Sequence, residues 1–164
     1  MNGANGHEMR DAAALKVLNR LLILFQYSLV SYLRYADPWT QPGKVRLLEV
    51  VRQLTTDHQA YVVRIGQLIL KRRGTIERGQ FSMRFTAYND LALDYLAQRL
   101  VEHERELIDE IGRCVAELDH DLEARQLAEN ILAREMQRFQ TLTKLVSPSS
   151  TTGEPYPANS TLAA

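Results

Sequence analysis

Four long stretches of this chain repeat apolar residues at helical spacing, and none alternates with the period of two that a strand needs. The first runs from about Asp11 to Ala36. It places Leu15, Leu18, Leu22, Phe25, Leu29, Tyr32 and Leu33 on one face, with Arg20, Ser31 and Arg34 opposite. The second, from about Lys44 to Arg73, gathers Leu47, Val51, Leu54, Tyr61, Val62, Ile65 and Ile69. The third, from about Phe85 to Leu118, buries Leu93, Leu96, Leu100, Leu107, Ile111 and Leu118, and turns Glu102 and Glu106 to water. The fourth, from about Asp121 to Val146, buries Leu127, Ile131, Leu142 and Leu145. Punctuation agrees with these limits. Asp11 suits an N-cap, and Asp37-Pro38 and Ser147-Pro148 stop helices. Gly43 precedes the second helix. Gly74 is placed to close it in the left-handed region after Lys71-Arg72-Arg73, whose charges suit a helix C-terminus.

The first and last connections are short, so each joins antiparallel neighbours. The middle one, from Gly74 to Arg84, is longer. Helices of this length measure on the order of 40 Å. About eleven extended residues, at ~3.3–3.6 Å each, reach as far. The connection can therefore run back along the bundle and make the second and third helices parallel, or form a slack loop. The expectation is an all-α four-helix bundle over residues 11–146. Residues 1–10 are expected to be a flexible N-terminus. Residues 147–164, rich in Ser, Thr, Pro and Gly, are expected to be a disordered tail.

Polar residues interrupt the apolar faces: Gln26 in the first helix, Thr55 and His58 in the second, Glu104 in the third, Glu135 and Arg138 in the fourth. Gln26 precedes its loop by about as many residues as Thr55 and His58 follow it. Glu104 and Glu135 are matched in the same way around theirs. Equal distance from the turn means equal height in antiparallel helices, so the six are expected to converge in one layer. Burying such groups is costly unless they are paired or bind something.

The helix order, the long middle connection and this polar layout resemble the ferritin-like superfamily over about Asp11 to Val146. Val101-Glu-His-Glu-Arg-Glu, Asp119-His-Asp-Leu-Glu-Ala-Arg and Asn130-Ile-Leu-Ala-Arg-Glu look like bacterioferritins or mini-ferritins, and Arg64-Ile-Gly-Gln-Leu-Ile resembles the end of their second helix. The resemblance implies a di-iron site made of one Glu from each of two helices and a Glu-x-x-His from each of the others. Here Gln26 stands at the first Glu and Thr55-x-x-His58 at the first Glu-x-x-His. Glu104 stands at the second Glu, and Glu135-x-x-Arg138 at the second Glu-x-x-His. Only His58, Glu104 and Glu135 match. Gln and Thr are weak neutral ligands, and Arg cannot coordinate a cation.

Two readings of the layer follow. In the favoured one there is no cofactor. Arg138 bridges Glu104 and Glu135, and Gln26, Thr55 and His58 complete a buried network. Arg138 and a protonated His58 would balance the two carboxylates, and the protein would be no ferroxidase. In the alternative, His58, Glu104 and Glu135 hold a single Fe, Mn or Zn ion, in iron handling or oxidation. A third reading is an adaptor or cargo protein that docks through its C-terminal tail.

Composition narrows the partners. Lys plus Arg and Asp plus Glu are equal at 20 each, so no electrostatic footprint for nucleic acid is present. Leu21–Val30, interrupted by Gln26 and Ser28, is too short for a membrane span, and residues 1–10 hold no signal core. The single cysteine, Cys114, excludes an intrachain disulfide and fits a cytoplasmic location. It reads as an ordinary buried thiol, His103 as a surface or interface residue, and Tyr32 and Tyr61 as core tyrosines. Outside the core arc, Ile23, Leu24, Tyr27 and Tyr35 on the first helix and Val63 and Leu70 on the second form another apolar face. That face, with the ferritin-like resemblance, points to a homodimer through these helices.

Overall fold

The computed structural model describes residues 3–36, 45–89 and 91–147, whose regular elements are all helices, with no strand among them. The elements are α1 (Gly3–Gln26), α2 (Leu29–Ala36), α3 (Val45–Lys71), a 3-10 helix (Met83–Tyr88), α4 (Leu93–Glu117) and α5 (Leu122–Val146). The all-α expectation holds. The connection 37–44 and the tail beyond Ser147 lie outside the described residues.

Two apolar clusters fill the interior. One joins Leu18, Leu21 and Phe25 of α1 to Tyr61, Ile65 and Ile69 of α3, Leu107 and Ile111 of α4, and Ala128 and Ile131 of α5. The other joins Leu29 and Leu33 of α2 to Leu47 and Leu54 of α3, Leu96 and Leu100 of α4, and Leu142 of α5. The N-terminal halves of α3 and α4 thus share one end, so these helices run parallel. The α1–α2 rod and α5 run the other way. Segment 72–82 makes the return journey along α1. Asn19 fastens it twice, donating to the Thr75 carbonyl at 2.9 Å and accepting from the Glu77 N–H at 2.9 Å.

The sequence reading ran the first helix unbroken from Asp11 to Ala36. Instead α1 starts at Gly3 and the rod breaks at Tyr27-Ser28, with a bend of 41°. The cause is local. Ser28 accepts the Ser31 N–H on its own hydroxyl at 3.1 Å, as an N-cap does for the third residue of a new helix. The Leu29 N–H leaves the ladder and donates to His103 Nε2 at 3.0 Å. The freed Phe25 carbonyl accepts the Ser31 hydroxyl at 2.8 Å. Inserted side chains of this kind are a recognised origin of kinks.

Other boundaries moved less. α4 begins at Leu93 rather than Phe85, because residues 83–88 form the separate 3-10 helix capped by Ser82. The left-handed residue after α3 is Arg73 (φ 57°), not Gly74. Gly74 serves close packing, since a Cβ there would lie 2.5 Å from Leu15 Cδ2. Asp121 caps α5 by accepting the Ala124 N–H at 3.0 Å. No single helix among the described residues is long and apolar enough to cross a membrane. The bent α1–α2 pair has the length and composition, but its apolar face is buried against α3 and α4.

Candidate metal centre

Between the two apolar clusters lies a thin polar layer. His58 (0% exposed), Glu104 (1%) and Glu135 (0%) come from α3, α4 and α5. Each sits one or two turns from apolar neighbours on its own helix, so the packing that buries Leu54, Leu100 and Ile131 also buries them. His58 Nε2 is 3.3 Å from Glu135 Oε2 and 3.8 Å from Glu104 Oε2. One ligand atom from each of the three lies within 4.8 Å of the others. Glu104 Oε1, Glu135 Oε1 and the Tyr61 hydroxyl are buried without a well-formed hydrogen bond, although Tyr61 and Glu104 both lie close enough to Glu135 for contact with it to raise their pKa values.

The other side of His58 is ordered by a residue the sequence reading passed over. His58 Nδ1 is 3.0 Å from Ser28 Oγ. Ser28 Oγ also accepts the Ser31 N–H and donates to Ser31 Oγ at 3.2 Å, and Ser31 Oγ donates onward to the Phe25 carbonyl. These bonds assign the tautomer. Ser28 has one proton, and the contact with Ser31 uses it, because Ser31's own proton goes to Phe25. With the Ser28 proton directed to Ser31, Nδ1 carries the hydrogen and donates to Ser28. Nε2, facing two carboxylates, is left to hold a proton or a metal ion.

Electrostatics state the same demand. Burial pushes the Glu104 carboxyl up to about 8, with nearby Glu135 adding to the rise and His58 opposing it. Burial alone would pull the His58 pKa down. The bond to Glu135 and the charges of Glu104 and Glu135 outweigh it, so the net direction is up. Burial and the Glu135 charge also raise the Tyr61 hydroxyl. Two protons, or one divalent cation, neutralise the pair of carboxylates.

Three of the six expected residues meet, and three do not. Gln26 is exposed at the last turn of α1, and Ser28, after the break, takes the inward position. Thr55 is half-buried and spends its hydroxyl on the Val51 carbonyl at 2.9 Å. Arg138 does not bridge Glu104 and Glu135. Its long side chain reaches out to Asp57 Oδ2 at 2.8 Å and is 39% exposed. His103, expected at the surface, is half-buried and caps the break. Burial lowers its pKa to about 4, with His58 and Arg84 adding to the effect.

Of the residues expected at a dimer face, Tyr35, Val63 and Leu70 are exposed. Ile23, Leu24 and Tyr27 are half-buried against the chain itself, with Tyr27 edge-on to Phe81 at 5.2 Å. Cys114 is buried, as expected, and accepts two contacts from Arg20 at 3.4 Å. A signal for Ser28 did exist: a serine in an apolar run, three residues before another serine. Comparison with protein-family models, with curated proteins and with solved structures finds no match.

Proposed function

We propose that this chain is a ferritin-like bundle that binds one transition-metal ion at His58, Glu104 and Glu135, and that it is not a di-iron ferroxidase. The observation that carries the reading is the state of His58: Nδ1 is committed to Ser28, and Nε2 faces two sealed carboxylates, each with an oxygen left unbonded. A cation about 2.1 Å from three donors needs donor separations of roughly 3–4 Å, and the two Nε2 distances, 3.3 and 3.8 Å, suit it. Nitrogen and carboxylate donors of this mix take Fe, Mn or Zn. A ligating histidine usually donates its other ring N–H to a fixed acceptor, and Ser28 occupies that place. Arg138 pairs with Asp57, so its positive charge does not occupy the place of the ion. The parallel α3 and α4, joined by a long return segment, are in keeping with the ferritin-like reading. A second reading rests on the raised Glu104 pKa: two protons take the place of the ion.

Metal analysis decides between them. The chelated protein is loaded separately with Mn, Fe and Zn, desalted and assayed, beside Glu104→Gln/Glu135→Gln. One equivalent of metal in the parent protein and none in the double variant is expected. Equal, substoichiometric metal in both would leave the proton-filled network as the description of the site.

A further inference from the structure

A cavity of about 520 Å³ lies under the return segment, between the break in the α1–α2 rod and α4. At Gly79 the segment presses onto α1, where a Cβ would lie 2.9 Å from both Ile23 Cγ2 and the Tyr27 ring. It settles again at Phe85, 4% exposed, with its ring edge-on to His103 at 5.5 Å. Between these contacts Phe81 packs edge-on to Tyr27 and Tyr32, and Gln80, Met83 and Arg84 edge the cavity.

Its walls are mainly apolar and aromatic, with Ile23, Tyr27, Phe81 and Phe85 facing a few polar groups. Size and lining match the usual small-molecule pocket, ~300–1,000 Å³ with few polar anchors. The polar groups narrow the ligand. His103 uses Nε2 to accept the Leu29 N–H, so Nδ1 carries the proton, a donor with no partner among the described residues. Glu106 and Glu110 at the wall outnumber Arg84 and disfavour an anion.

We infer that this cavity binds a neutral, planar aromatic molecule with a carbonyl-type acceptor, held by apolar contact with the aromatic walls and by the His103 donor. Ser28 lines the same cavity and tethers His58, so the ligand would sit beside the buried layer without entering it. The inference stands whether or not the layer holds a metal.

The full chain is titrated with prodan, a neutral naphthalene bearing one ketone, metal-free and metal-loaded. Fluorescence is read in parallel with methyl NMR of the unmodified protein. Single-site saturation with blue-shifted emission is expected, with methyl shifts centred on Ile23, Leu24 and Met83. Ile23→Trp, which fills the cavity, should abolish binding. His103→Phe, which keeps a ring against Phe85 and removes the donor, should weaken it roughly fivefold. No saturable binding, or shifts centred on other methyls, overturns the inference. The NMR reading needs no variant to fold.

Discussion

Two charged clusters in this bundle use the same residue types to opposite ends. At the C-terminus of α3, Lys71 meets Glu123 at 2.7 Å, and Arg72 meets Asp121 and Glu123. Every member is at least partly exposed: the Arg72 side chain by 18%, Glu123 by 53%. Asp121 also caps α5. This cluster is complete, and it joins two helix ends. In the middle of the bundle, His58, Glu104 and Glu135 are sealed from water, and two carboxylate oxygens lack a bond. Charge content does not distinguish the two. What does is demand left unmet where burial makes it most costly.

The largest effect expected from breaking the central cluster is on metal. Removing its ligands one at a time, as His58→Ala or Glu135→Ala, should lower affinity by more than about a hundredfold in competition with a chromogenic chelator. The surface double variant Lys71→Ala/Glu123→Ala should leave it unchanged.

The pH dependence sharpens the contrast through its sign. Both His58 and Glu104 have folded pKa values above their unfolded ones, 6.5 and 4.5. Their protons stabilise the metal-free fold fully below pH 4.5. That stability is lost as pH rises through the Glu104 value near 8 and the raised His58 value, by an amount on the order of a few kcal/mol. Asp121, held low by Arg72, works the other way: its contribution is present above 3.8 and lost as pH falls through its depressed value. Urea denaturation from pH 5 to 9 should show the metal-free protein weakening toward alkaline pH. Metal binding displaces up to about two protons, so affinity should climb over the same window. A flat stability profile would refute the assignment of protons to the buried pair.

Smaller effects follow. Ser28→Ala unties Nδ1 and uncaps α2, and should cost about tenfold in metal affinity and about 1 kcal/mol in stability. Asp121→Ala removes a cap and a partly buried pair, for about 1–2 kcal/mol by thermal melting, with metal binding unaltered. Arg138→Ala breaks an ion pair whose arginine is 39% exposed, and should cost under about 1 kcal/mol. A large loss of metal affinity in that variant would return Arg138 to the centre.

Much of this was legible in the chain. The stripe Leu47, Val51, Leu54, Tyr61, Ile65 and Ile69 is buried as its spacing implies. His58, Glu104 and Glu135 share a level because each stands at a matched distance from the turns of straight helices. Gln26 failed because that counting assumes an unbroken rod. The break depends on His103, 74 positions away, taking the Leu29 N–H. Arg138 failed because a wheel places its Cα, while its long side chain is free to follow the nearest accessible carboxylate, Asp57.

By itself, then, the sequence determined the helices, their apolar faces and three of the polar residues those faces bury. These follow from backbone periodicity and the cost of exposing hydrocarbon, which act along the chain. Only the tertiary structure decided that Ser28 replaces Gln26, that Arg138 leaves the layer, and that the return segment borders a cavity. Each of these turns on a contact between residues far apart in the chain, and periodicity carries no record of such contacts.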